Sequence, residues 1–167
     1  MIFPRKGPDV PETEFELTRL DEQERELLLE ALDAFISSVA DTESKLPYLA
    51  LRRDIEEGGV SPENIPCLEN LLELTLQSGR ARRHQSPQAE KRLLRLFHGT
   101  PRGGAVKQAV RETNEALASL KGQVLDTVSF TPNTPGTYRL LIDTDACRID
   151  LEITRQGVSV KGVEIGI

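Results

Sequence analysis

The repeat of apolar residues changes once along the chain, at Gly122, and no other feature of the sequence limits the fold as much. Before Gly122 apolar residues return at helical spacing, every three to four positions. After it they alternate, the mark of a strand with one face buried. In "CRIDLEIT" the residues Cys147, Ile149, Leu151 and Ile153 point one way, and Arg148, Asp150, Glu152 and Thr154 the other. Tyr138, Leu140 and Ile142 alternate in the same manner. With "VLDTVSF" (124–130) and "GVSVKGVEI" (157–165) they predict four strands. The joints "TPNTPG", "DTDA" and "TRQG" are turn sequences, and short joints require antiparallel neighbours. Gly162 breaks the alternation between Val160 and Val163, which predicts a bulge.

The helical part is punctuated by a repeated signal. Ser61-Pro62, Ser86-Pro87 and Thr100-Pro101 each set a hydroxyl residue before a proline. A hydroxyl caps a helix start, and proline is tolerated at the first helical position because its missing N–H would be unpaired there anyway. The segments that follow end at Gly79, Gly99 and Gly122, predicting helices over about 62–78 (with a break near Pro66), 87–98 and 101–121. Two earlier helices are predicted from Leu20 to about Ala40, with Thr18 as N-cap and Asp21 in its capping box, and from Leu46 to Glu57. Residues 1–16 carry three prolines among polar residues and are read as a mobile arm. The expected fold is α+β: a helical region, 17–122, packed on a C-terminal four-stranded antiparallel meander, 123–167, with 17–167 forming one compact domain. The last helix, which feeds the first strand, is the one expected to lie across the sheet.

Composition narrows the function classes. Five Phe, two Tyr and no Trp make an aliphatic core and count against a base-stacking surface. No apolar run reaches the roughly 18 residues of a membrane span. The N-terminal "MIFPRKGPDVPETE" lacks the apolar region of a signal peptide. Cys67 and Cys147 form no metal-ligand spacing, and two reduced thiols fit a cytoplasmic protein without metal or cofactor.

Charge is divided sharply along the chain. Residues 9–73 hold 18 acidic and 5 basic side chains, whereas 79–111 hold nine basic ones and only Glu90 as an acid. The basic set is Arg80, Arg82, Arg83, Lys91, Arg92, Arg95, Arg102, Lys107 and Arg111. It has three readings: a solvated face whose field is met by the acidic helix around Asp21–Asp33, a docking surface for another protein or a second copy, or a nucleic-acid or polyanion surface. On the helix near 101–121, Lys107 and Arg111 are expected on a face away from Val106, Ala109, Val110 and Leu117.

"GTPRGGAVK" is the most site-like stretch. Thr100, Gly103 and Gly104 begin a predicted helix, where free N–H groups attract anions. A helix precedes it and no Gly-Lys-Ser/Thr follows, so it is not a phosphate-binding P-loop. The plainer reading is a helix–helix turn in which glycine permits close packing. His84 and His98 lack a nucleophile or carboxylate at motif spacing, and His98 suits a helix C-terminus. In Asp143–Ala146 the aspartates are expected to bond the backbone of a tight hairpin. Cys67 heads an apolar helix and reads as a packed thiol. Arg139, Arg148, Asp150, Glu152 and Lys161 are expected to pair across the outer sheet face. The sequence therefore points to a non-enzymatic interaction or regulatory protein, with a nucleic-acid binder and a small-anion enzyme as the competing classes.

Overall fold

The computed structural model describes residues 19–79 and 86–166. Among them, five α-helices precede a four-stranded antiparallel sheet, an α+β architecture. The helices are α1 (Glu22–Ser38), α2 (Thr42–Glu57), α3 (Ile65–Gln77), α4 (Pro87–His98) and α5 (Pro101–Ala118). The strands are β1 (Leu125–Thr134), β2 (Thr137–Thr144), β3 (Cys147–Thr154) and β4 (Gly157–Ile165), ordered β1-β2-β3-β4. The chain divides into two compact units, one ending at Leu93 and the other starting at Leu94, so the division falls inside α4.

In the first unit α1 packs on α2 and α3. Leu28, Leu32, Leu51, Ile55, Leu68 and Leu72 are fully buried, one apolar stripe from each helix. The helix ends are fixed by side chains. Asp21 caps α1 by accepting from the Glu24 amide at 2.7 Å, and the Glu24 carboxylate accepts from the Asp21 amide at 3.0 Å. The capping box therefore begins at Asp21, one turn later than a Thr18 cap would place it; Asp is among the strongest N-caps, and its reciprocal partner stands three residues on. Thr18 and the arm over 1–16 lie outside the described residues. Asp41 caps α2 in the same way, through the Ser44 amide at 2.8 Å. That start precedes the expected Leu46: Pro47 lies inside the helix rather than opening it.

Gly58 ends α2 in the left-handed region at φ 92°. Arg25 donates to the Ile55 and Glu56 carbonyls at 3.1 and 2.7 Å, a cation on the exposed C-terminal end of α2. Asp54 holds the next turn by accepting from the Ser61 amide and Asn64 Nδ2, both at 2.8 Å, and from the Ser61 hydroxyl. Burial works against the charged Asp54, but the bonds from Asn64 and Ser61 outweigh it and hold the carboxyl below its ordinary range. The irregularity expected near Pro66 comes earlier. Pro62–Asn64 form a 3-10 turn, and Pro66 sits within the first two positions of α3, where its missing N–H costs nothing.

In the second unit α5 packs on β4 and β3. Ala116, Leu117 and Leu120 meet Ile142, Cys147, Ile149 and Leu151. The helix stops at Ala118 and a turn carries the chain to Gly122, so it is three residues shorter than expected. β1 is longer than expected, running through Pro132 to a two-residue turn at Pro135-Gly136. Proline is accommodated because β1 is an edge strand. The bulge in β4 is present: Asp150 pairs with Gly162 and Leu151 with Val160, leaving Lys161 unmatched. In the β2–β3 turn Thr144, not an aspartate, bonds the backbone, accepting from the Ala146 and Cys147 amides at 3.3 and 2.8 Å. Asp143 instead accepts from Arg148 Nε at 2.5 Å.

Candidate functional site

The described part of the basic set is distributed over α4 and α5. Arg80, Arg82, Arg83 and His84 lie outside the described residues. Ser86 caps α4, its hydroxyl accepting from the Ala89 amide at 3.1 Å. Ala89, Leu93 and Leu96 are buried at helical spacing, which turns Lys91 and Arg95 outward. Arg92 is half-buried and donates to Asp21 at 3.0 Å. Its charge thus meets the N-cap of α1, as the solvated-face reading requires for that residue.

Thr100 caps α5. Its hydroxyl is fully buried, accepts from the Gly103 amide at 3.2 Å and donates to the Phe97 carbonyl at 2.8 Å. The Gly104 amide is bonded to the Thr100 carbonyl at 2.8 Å. The anion candidate formed by Thr100, Gly103 and Gly104 therefore has two of its N–H groups engaged by its own chain. The glycine at 103 has a steric purpose: a Cβ there would lie 1.8 Å from the Phe97 carbonyl oxygen. Position 104 has open space, and a Cβ would meet nothing within 4 Å. The two glycines have different roles, which their adjacency in sequence does not reveal.

An open concavity of about 560 Å³ lies along α5, lined by His98, Val106, Lys107, Val110, Arg111, Asn114, Glu115 and Ala118. Here the structure corrects the expected face. The core row of α5 is Thr113, Ala116 and Leu117, continued by Leu120 in the turn that follows, so Val106 and Val110 share the groove with Lys107 and Arg111. Val110 is 46% exposed. Arg111 is tied along the helix to Gln108 at 2.5 Å and to Glu115 at 3.8 Å. Arg102 is exposed on the first turn of α5. Asn114, Glu115 and Ala118 were not legible as groove residues, since only the row that turns inward fixes which row is left outside. His98 lies in the last turn of α4, as its sequence position suggested.

Elsewhere the chemistry is structural. The outer sheet face is laced by Arg139–Asp150 at 2.8 Å, Lys161–Glu152 at 2.7 Å and Arg148 between Asp143 and Glu164. The bond from Arg139 holds the Asp150 carboxyl below its usual range. Burial pushes the Cys67 thiol up, the opposite of an activated nucleophile. Among the described residues no three His, Cys, Asp or Glu side chains are grouped to hold a metal ion, and no helix is long and apolar enough to cross a membrane. No protein-family model, curated protein or solved structure matches the chain. What defines the molecule is its α+β fold, with a mixed basic and apolar groove on one helix.

Proposed function

We propose that this chain is a non-enzymatic interaction or regulatory protein that engages an acidic, amphipathic segment of a partner along α5. The observation that carries the reading is the composition of the groove: Val106, Val110 and Ala118 interleaved with Lys107 and Arg111. Protein interfaces need apolar area that excludes water, with charge at the rim to set orientation. From residue 106 to 118 the groove follows the helix for about 18 Å, enough for three turns of a docked helix. A polyanion site would need the charges without the valines. The reduced cysteines fit a cytoplasmic setting.

The test is fluorescence anisotropy with a labelled Glu/Leu-rich helical peptide, run beside labelled single- and double-stranded DNA and RNA at two salt concentrations. Peptide binding should weaken with Val110→Asp as well as with the pair Lys107→Glu and Arg111→Glu. Nucleic-acid binding that falls steeply with salt, ignores Val110→Asp and is lost on changing Arg92, Arg95 and Arg102 to Glu would move the protein to the polyanion class.

A further inference from the structure

The sheet has two edges, and the chain guards them differently. β4 carries Lys161 and Glu164, both drawn into cross-strand ion pairs, and a bulge at Lys161. Charged side chains, lysine above all, and bulges are how natural edges refuse another strand. β1 has such devices only towards its ends, where the register shifts between Leu125 and Thr127 and between Pro132 and Thr134 and Pro132 lacks an N–H; Thr127–Thr131 is regular and uncharged, and Asp126 is the strand's one charged side chain. Nine of those ten residues are exposed, and Ser129 is half-buried. Val128 and Phe130 lie opposite Ile142 and Leu140, so they share the apolar face of the sheet. Within this unit α5 covers that face over β3 and β4, while Val128 and Phe130 are 56% and 57% exposed. Phe130 also stacks on Tyr138 at 5.3 Å, so the patch is continuous across two strands.

We propose that the outer edge of β1 is a self-association surface, on which a second copy of this chain pairs its own β1 antiparallel about Ser129. This inference goes beyond the groove on α5 and stands without it. Two observations select a second copy over an unrelated strand. First, the strand is complementary to itself. A two-fold axis normal to the sheet keeps the apolar face on the same side in both copies. Pairing about Ser129 then sets Val128 of each copy against Phe130 of the other, a β-branched residue against an aromatic, which is a favourable cross-strand pair. Second, charge permits it. The two Asp126 side chains end up six residues apart along the ladder, about 20 Å at strand rise. That is twice the screening length of about 10 Å in ordinary salt. Pairing β4 with itself would instead bring together strands that are charged and bulged at their middle, at Lys161.

The experiment is sedimentation velocity on the full chain, from low micromolar to near-millimolar concentration, with two kinds of variant. A species of twice the chain mass is expected, and Val128→Lys with Phe130→Lys should weaken its formation by about tenfold or more. Both side chains are exposed, so far-UV circular dichroism should stay unchanged. The second variant is Ser129→Cys. Residues directly opposite in an antiparallel ladder have Cα atoms about 4.5–5.5 Å apart, within disulfide range. Mild oxidation of this variant should join the two introduced thiols in a disulfide between copies, located by mass spectrometry of the cross-linked β1 peptides. A monomer at every concentration overturns the proposal. So does a dimer that ignores the β1 lysines, that dissociates on Val163→Lys in β4 or Val110→Asp in the groove, or that gives no cross-link through position 129.

Discussion

β3 and β1 lie in the same sheet, one strand apart, and both alternate apolar and polar residues. Yet Ile149 in β3 is fully buried and Leu151 nearly so, while Val128 and Phe130 in β1 are more than half exposed. The alternation fixes which face a side chain points to; burial depends on what lies over that face. β3 is flanked by β2 and β4 and overlain by Leu117 and its neighbours on α5. β1 has a neighbour on one side.

The largest expected effects come from breaking the covered strand. Ile149→Ala should cost about 2–5 kcal/mol, measured by urea denaturation, since it leaves a cavity in a packed core. The matching change in β1, Val128→Ala, should cost less than about 1 kcal/mol in the same assay. Near-equal losses would mean that β1 is covered in solution, as pairing about Ser129 would make it.

Next in size is the corner that sets the covering helix. Gly103→Ala drives a methyl into the Phe97 carbonyl and is expected to cost about 2–4 kcal/mol. Gly104→Ala, one residue on, meets nothing within 4 Å and should stabilise α5 by about 0.5–1 kcal/mol through helix propensity. Opposite signs at adjacent glycines, read from thermal melts, would locate the constraint at a single backbone contact.

Asp54 tests the first unit by the same logic of buried demand. Asp54→Ala strips the acceptor from Ser61 and Asn64 and should cost about 1–3 kcal/mol. Its pKa is lowered in the folded chain, so its contribution is present above the ordinary carboxylate range near 4 and is lost as the pH falls through the folded value. Melting temperature should therefore drop on acidification below about pH 4, and less so in Asp54→Asn. The smallest effect belongs to the solvent-facing pair: Arg92→Ala removes the bond to Asp21 and should change stability by no more than about 1 kcal/mol.

Much of the fold was legible in the residues. The change of period at Gly122, the Ser86-Pro87 and Thr100-Pro101 helix starts and the Gly162 bulge each act within a few neighbouring residues, and each appears in the structure; the Ser61-Pro62 start does not, because the Ser61 hydroxyl donates to Asp54 and Pro62–Asn64 form a 3-10 turn ahead of α3. Ends went astray where two local signals competed. Thr18 and Asp21 both qualify as caps, the expected start at Leu46 falls beside Pro47 although α2 runs through it, and the "TPNTPG" stretch reads as a loop although an edge strand accepts Pro132. The groove was legible only as charge. Lys107 and Arg111 stand out in sequence, but the exposure of Val110 follows from which row of α5 the sheet draws inward.

The sequence by itself determined the periodicities, the Ser86 and Thr100 caps and the charge division, because these depend on side chains a few residues apart. Tertiary structure decided the rest: that Gly103 is obligatory and Gly104 is not, that Val110 is a surface residue, and that the apolar side chains of the β1 edge are left exposed. Burial is a relation between segments distant in sequence, and the same alternating strand is core or surface according to the neighbour that covers it.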